Sequence, residues 1–158
     1  MQKGEDKQIK CIVSTALGLA MFMPIQPTCI DAPFYTHLFA PLGHGNLIHL
    51  LANLYVLWIM RINAKELCTA YIIGVIAMAI SINPCIGFSA VLYALIGLHV
   101  PRIRISKAEW GIFIAANAIT ILIPNIATLA HFIAFMLGLC YTKLSDLINE
   151  YEAAIRGK

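Results

Sequence analysis

The chain has 158 residues, of which 60% are hydrophobic and 12% are charged, and its net charge is +3. Soluble globular domains carry about 25% charged residues, so a chain this short and apolar could not fold in water without exposing large apolar patches. The composition therefore excludes a soluble globular protein and predicts a single membrane domain.

Apolar runs bounded by charged residues, Pro or Asn predict six transmembrane helices. They are Ile9–Ile25, Leu47–Met60, Leu67–Ile82, Ile86–Val100, Trp110–Ile123 and Ile126–Tyr141, the last two separated by Pro124-Asn125. As helices they would be about 21–26 Å long, slightly short of a ~30 Å hydrocarbon core. The predicted fold class is an all-α membrane protein: a six-transmembrane-helix bundle forming one domain over 1–158, with its core at about 9–141.

All 11 Lys and Arg residues lie at or before the start of the first run or follow the second, fourth and sixth. They are Lys3, Lys7, Lys10, Arg61, Lys65, Arg102, Arg104, Lys107, Lys143, Arg156 and Lys158. Because basic residues concentrate on the cytoplasmic side, the pattern predicts two cytoplasmic termini, in what we expect to be a bacterial inner membrane. We expect these side chains to face lipid headgroups at the inner surface, and we expect no nucleic-acid partner. The alternative, a cleaved signal peptide over the first run, lacks a small-x-small cleavage site.

The remaining segment, 142–158, is predicted to be a short cytoplasmic tail. Its apolar residues recur at helical spacing: Leu144, Leu147, Ile148, Tyr151 and Ile155. The pattern fits an amphipathic helix on the inner membrane surface or an extension of the sixth helix.

The five cysteines have neither the spacing of a zinc site nor that of a disulfide framework. They are Cys11, Cys29, Cys68, Cys85 and Cys140. We expect no metal site, although a bridge between Cys29 and Cys85 across the outer loops is conceivable.

Polar residues that lie inside predicted membrane helices suggest a functional site, because they are costly there. His49, Asn53, Ser89 and His131 lie in three helices that enter from the outer face, within roughly 3–9 Å of their outer ends. A serine and a histidine can form a nucleophile and general base. Since the only carboxylate on the outer half is Asp31, the sequence predicts a dyad without an acid. His49, Asn53 and the Ser89 N–H are the candidate oxyanion donors.

Other interpretations of these residues are open. Any one of them alone is more simply explained by hydrogen bonding within or between helices. Bis-histidine haem ligation by His131 with His44 or His49 would leave the macrocycle poorly covered so close to the helix ends. Transport is disfavoured by the lack of a mid-membrane charge or of paired broken helices.

Three segments resemble the rhomboid family of intramembrane serine proteases. The stretch from His44 to Asn53 is similar to that family's H-x₄-H-x₃-N signature, Gly87 to Gly97 resembles its serine motif, and Ala130 to Gly138 resembles its histidine helix. The resemblance runs from about Thr36 to Tyr141. It implies that Ser89 is the nucleophile and His131 the general base, and that His49 and Asn53 serve the oxyanion.

The resemblance also implies supporting roles. Tyr93 would stack under His131, His44 would hold the outer loop, and the supporting glycines would be Gly87, Gly97 and Gly138. Helical spacing agrees with this packing, because Ser89, Tyr93 and Gly97 share one face and Ala134-x-x-x-Gly138 is a small-x-x-x-small pattern that permits close approach.

Two features depart from the family's pattern. Ala90 and Ala134 stand where the family usually has glycine, and the first loop, from Pro24 to about Gly43, has no Trp-Arg pair. The function implied is an intramembrane serine endopeptidase that needs no cofactor and cleaves transmembrane protein substrates in or near the outer end of their membrane segments. The alternative is a catalytically inactive relative that binds the transmembrane helices of client proteins.

Overall fold

The computed structural model of the protein describes residues 2–103, 106–121 and 127–157. These residues form helices and loops, with one isolated β-bridge between Thr28 and Cys85. The helices are α1 (Gln2–Ala20), α2 (Phe34–Phe39), α3 (Leu47–Ile59), α4 (Ala64–Ala79), α5 (Ser89–His99), α6 (Lys107–Ile121) and α7 (Thr128–Arg156). Short 3-10 turns follow α2 and α5, at Ala40–Leu42 and Val100–Arg102.

Each predicted run overlaps one of the longer helices, but the ends differ for local reasons. Helix α1 stops at Ala20 rather than Ile25, because the residue before Pro24 is pushed away from helical geometry. Helix α4 starts at Ala64, three residues early, where Asn63 and Glu66 form a capping box. The predicted ends and turn at Ile123, Pro124-Asn125 and Ile126, together with Arg104 and Lys158, lie outside the described residues.

Helix α2 was not predicted and lies within the first loop. It begins after Pro33, whose carbonyl accepts hydrogen bonds from the backbone N–H and the hydroxyl of Thr36. This six-residue helix has no apolar run long enough to give a signal in the sequence.

Only α7, among the described helices, is both long and apolar enough to cross a membrane by length and composition. Helix α3 is apolar but shorter. The six-span arrangement and the position of the termini therefore stay predictions. Helix α7 runs without a break to Arg156, so the tail continues the last helix and leaves its apolar side chains exposed.

Helix α5 lies at the centre of the structure, packed mainly on α7 and then on α4. Its residues from Ser89 to Leu98 carry no charge, and Val91, Ala94 and Leu95 are completely buried. A helix that is apolar on every side fits a protein core or a membrane, and the burial of these side chains places α5 in the core. Thus the element that begins with Ser89 is also the one most enclosed by its neighbours.

The backbones of α5 and α7 touch at two glycines. A Cβ atom on Gly97 would collide with the Phe135 carbonyl oxygen, and one on Gly138 would collide with that of Ala94. Beyond them, the buried hydroxyl of Thr142 donates to the Leu98 carbonyl at 3.0 Å. This close approach fixes the separation of the two helices along their length.

One basic residue is not where the sequence placed it. Lys10, expected to face lipid headgroups, is only 5% exposed. Its ammonium donates to the Asp6 carboxylate at 2.9 Å and to the Trp58 carbonyl at 3.2 Å. Buried charges require partners, and here the pair ties α1 to the C-terminal end of α3. Burial opposes ionisation of Asp6, but hydrogen bonds from Lys10 and from the Ile62 N–H lower the pKa of its carboxyl.

Replacing Gly138 with Ala should lower the thermal unfolding temperature, because the added methyl meets the backbone of α5 and costs about 1–3 kcal/mol. The matched control is Gly18→Ala in α1, where a Cβ would have nothing within 4 Å. That change should be neutral or stabilising by about 0.5–1 kcal/mol, since Ala favours helix over Gly. The measurement is thermal unfolding of both variants in one detergent. Equal unfolding temperatures would contradict the close α5–α7 contact.

Candidate active site

Ser89 and His131 meet where α5 and α7 begin. The Ser89 Oγ lies 2.7 Å from Nε2 of His131, at hydrogen-bonding distance. Ser89 is the first residue of α5, and His131 is in the first turn of α7 and 8% exposed. In this geometry Nε2 can accept the hydroxyl proton, as a general base does for a serine nucleophile. The Ser89 N–H lies at the positive, unpaired end of the α5 dipole.

The His131 imidazole is held by a ring and not by a carboxylate. The Tyr93 ring stacks on it at a centroid distance of 4.5 Å and an interplanar angle of 6°. Its Nδ1 is buried and has no hydrogen-bond partner within the described residues. The structure thus brings Ser89 and His131 together as a pair. Within the described residues, no carboxylate accepts a hydrogen bond from Nδ1 of His131, as the acid of a catalytic triad would.

Gly87 brings the chain to Ser89 through a conformation that other residues rarely adopt. Its φ is +127°, and a Cβ there would lie 2.5 Å from Cε1 and 2.9 Å from Nε2 of His49. Its N–H donates to the Ala40 carbonyl at 3.0 Å. Both the positive φ and the ring against it require glycine. The loop before Ser89 therefore passes directly along the face of His49.

His44 and Asn53 form a second polar contact beside this loop. The amide Nδ2 of Asn53 lies 3.0 Å from Nε2 of His44, and Nδ1 of His44 lies 3.2 Å from the Leu42 carbonyl. A carbonyl only accepts and an amide NH₂ only donates, so the contacts fit a neutral His44 with its proton on Nδ1. Burial, followed by the nearby His49, lowers the pKa of His44 to about 4.

Asn53 keeps one N–H for another acceptor. An amide nitrogen carries two hydrogens, and the contact with His44 uses one of them. Asn53 is 5% exposed, and it stands one helical turn below His49 on α3. His49 in turn is edge-on to His44, with ring centroids 5.2 Å apart. It is also close enough to His131 for their charges to interact.

The start of α3 is set by a cap that sequence reasoning missed. The Asn46 side chain accepts a hydrogen bond from the His49 N–H at 2.8 Å. An Asn immediately before an apolar run is a typical N-cap, so the signal was present. The cap fixes the first turn of α3 and with it the direction in which His49 leaves the helix.

Sequence reasoning also missed a buried polar cluster in the first loop. The Thr28 hydroxyl contacts the Thr36 hydroxyl at 3.0 Å and Nδ1 of His37 at 2.5 Å. The Thr28 backbone exchanges two hydrogen bonds of 2.9 Å with Cys85. The cluster thereby attaches the first loop to the segment that leads to Gly87. Isolated polar residues in a loop have no periodicity, so no pattern indicated it.

The cysteines of the two loops are not bridged. Cys29 and Cys85 are both free thiols. The Cys85 thiol donates to the Thr28 carbonyl, and burial raises its pKa to about 11. It is therefore a hydrogen-bonded apolar residue and not a reactive thiolate.

The two alanines that stand where the rhomboid pattern has glycine do not hold Ser89 and His131 apart. Ala90 is 2% exposed and Ala134 is completely buried. Both pack within the core around α5 while the Ser89 and His131 side chains remain in contact. Helix α7 approaches α5 most closely lower down, at Gly97 and Gly138, where the sequence retains glycine.

The arrangement does not suit haem ligation by these histidines. Nε2 of His131 is engaged with Ser89, and both ring nitrogens of His44 have protein partners. Within the described residues, no three His, Cys, Asp or Glu side chains are grouped so that they could hold a metal ion.

The buried neutral state of His44 predicts a pH dependence of stability. Its pKa is about 4 in the fold and 6.5 ordinarily, so between these values the unfolded chain binds a proton that the folded chain does not. Stability is therefore lost as pH falls below about 6.5. Between about pH 7 and about pH 5 the unfolding temperature of the wild type should fall further than that of His44→Gln, which does not titrate. Parallel pH profiles would contradict a buried neutral His44.

The family model of the rhomboid domain matches residues 31–145. The match includes α2 to α6 and the first part of α7, and so contains every residue of the site described above. No curated protein sequence matches the chain closely enough to be reported as a relative. Because the match covers more than two thirds of its length, the chain belongs to the rhomboid family and is an integral membrane protein.

Proposed function

We propose that the protein is an intramembrane serine endopeptidase that cleaves peptide bonds in or near the outer end of transmembrane substrates. The observation that carries the proposal is the 2.7 Å contact between Ser89 Oγ and His131 Nε2, with Tyr93 stacked on the imidazole. Rhomboid proteins are generally intramembrane serine proteases. A structural role for one Ser–His hydrogen bond would not require the stacked ring or the polar groups gathered beside it.

The proposed reaction is acyl transfer through Ser89. As Oγ attacks the scissile carbonyl carbon, Nε2 of His131 takes the hydroxyl proton. The tetrahedral intermediate collapses when the imidazolium returns that proton to the departing amine, which leaves an ester on Ser89. A water molecule then gives a proton to Nε2 and attacks the ester, and the acid product leaves as Ser89 regains its proton.

The negative oxygen of the intermediate needs donors placed in advance. Three groups are candidates: the Ser89 N–H at the start of α5, the His49 imidazole and the second amide N–H of Asn53. The contact with His44 holds the Asn53 amide, and the Gly87 loop holds the His49 ring. These donors are neutral dipoles, which a site of low polarity tolerates better than a buried charge.

The proposed location makes two demands on the reaction. Water must reach Ser89 from the outer face, since hydrolysis consumes one water molecule. A substrate helix hides its carbonyls in its own hydrogen bonds, so it must unwind locally before cleavage. Substrates with Gly, Pro or Ser near the outer end of the membrane segment should therefore be preferred. The segregation of Lys and Arg supports six spans with both termini in the cytoplasm.

Replacing either Ser89 or His131 with Ala should abolish cleavage of a transmembrane reporter substrate without unfolding the protein. The direct measurement is labelling of the detergent-solubilised protein with a fluorophosphonate, which reacts with activated serines. The control is Asp31→Ala, which should be nearly silent because the dyad uses no acid. Wild-type labelling in Ser89→Ala, or none in the wild type, would overturn the proposal in favour of an inactive helix-binding protein.

Removing an oxyanion donor should slow turnover while leaving substrate affinity nearly unchanged. Loss of one donor typically costs about 10²–10³ in rate, because the charge develops only in the transition state. We expect this from Asn53→Ala and from His49→Ala, measured as turnover and KM with one reporter substrate. Loss of affinity with turnover preserved would instead assign these residues to substrate binding.

A further inference from the structure

Helix α6 packs only lightly on the rest of the described structure. Its contacts gather in a cluster of rings around Phe113, which lies 6.0 Å from Tyr93 and 5.4 Å from Phe135 between ring centroids. Trp110 completes the cluster, 6.4 Å from Phe135. Ile114, next along the helix, is 61% exposed. This ring cluster thus connects α6 to Tyr93, the residue that stacks on His131.

Asn117 lies one helical turn beyond Phe113 on the same side of α6. Its amide Nδ2 donates to the Phe113 carbonyl at 2.8 Å, and its side chain lies within hydrogen-bonding reach of the Tyr93 hydroxyl. Because the contact with Phe113 fixes the Asn117 amide on α6, the contact with the Tyr93 hydroxyl connects Tyr93 to that helix. An amide on an apolar helix is costly in a membrane protein unless it has such partners.

The Tyr93 ring is therefore held at both ends. Its Cβ belongs to the central helix α5, and its hydroxyl is bound by Asn117. Between these two points the ring lies nearly parallel to the His131 imidazole, at an angle of 6°. A ring attached only at Cβ could swing away from the stack, and a partner at the hydroxyl restrains that swing. Rotation about the ring's long axis is restrained by the rings of His131 and Phe113 beside it.

We propose that Asn117 is a positioning residue, which keeps the Tyr93 ring over the His131 imidazole and so helps to orient that imidazole toward Ser89. The inference rests on the proposed function, in which His131 is the general base. Nδ1 of His131 has no hydrogen-bond partner in the described part of the chain, so the stack takes the orienting role that an acid has in a triad. The face of the Tyr93 ring also attracts the imidazolium that forms during attack.

The test compares two leucine substitutions one turn apart on α6, Asn117→Leu and Ile114→Leu. The first removes the hydrogen bond and keeps a side chain with the same branching and number of heavy atoms, and the second alters an exposed side chain. In fluorophosphonate labelling, Asn117→Leu should lower the maximal inactivation rate about tenfold, less than the ~10² expected from a 1 Å displacement. The probe concentration for half-maximal rate should not change. Ile114→Leu should behave like the wild type, and a wild-type inactivation rate in Asn117→Leu would overturn the proposal.

Tyr93→Phe removes the same hydrogen bond from the other side and tests the link if Asn117→Leu does not fold. Because both changes break one contact, the double variant should be no slower than the slower single variant. Multiplicative losses in the double variant would show that Asn117 acts by another route and would overturn the proposal.

A second measurement does not depend on activity. In protein labelled with ¹³C at histidine Cε1, the stacked Tyr93 ring should shift the His131 signal upfield, and that signal is assigned by its loss in His131→Gln. Asn117→Leu should move the signal toward the unstacked position, and Ile114→Leu should not. An unmoved signal in Asn117→Leu overturns the inference. If the wild type is not labelled by fluorophosphonate, the proposed function fails, and the NMR comparison still decides whether Asn117 orients the ring.

Discussion

The close approach of α5 and α7 at Gly97 and Gly138 is the constraint on which the rest of the structure depends. Each glycine leaves room for the partner's backbone, where a single Cβ would strike a carbonyl oxygen. Since a helix is stiff, a separation fixed at these glycines also fixes the separation two turns away, where Ser89 meets His131. The distance between the Ser89 and His131 side chains is therefore set by a contact between two backbones. The geometry of such a contact varies less than that of packed side chains.

Orientation within the site comes from neutral contacts. Tyr93 stacks on His131, His44 holds Asn53 by a hydrogen bond, and the start of α5 contributes a dipole. Two charged pairs, Asp6 with Lys10 within α1 and Glu66 with Arg102, lie away from this cluster. Such a division is expected where burying a charge costs more than burying a paired dipole. It also fits a site in which the only charge arises transiently, during reaction.

The first loop and the segment before Ser89 act as part of the site. Thr28 pairs with Cys85, and Gly87 hydrogen-bonds Ala40 and passes against His49, so the chain before Ser89 is held on both sides. These contacts explain how a serine at the first position of a helix, where no preceding turn supports it, keeps a defined orientation. They join the first loop to the nucleophile's own segment, and so connect residues up to 57 positions apart.

The sequence by itself determined the helical class and indicated Ser89, His131, His49 and Asn53, because hydrophobic runs and buried polar residues are read one segment at a time. It could not locate α2, which is too short to show an apolar run, or the Thr28 cluster, whose polar residues have no periodicity. The burial of Lys10 depends on Trp58, a partner remote in the chain. Asn117 stands in an apolar run, and no pattern in the sequence connects it with Tyr93. Only the tertiary structure decided which polar groups share a contact, because hydrogen bonds and stacking act over a few ångströms, whereas periodicity reports only which face of a helix a residue occupies.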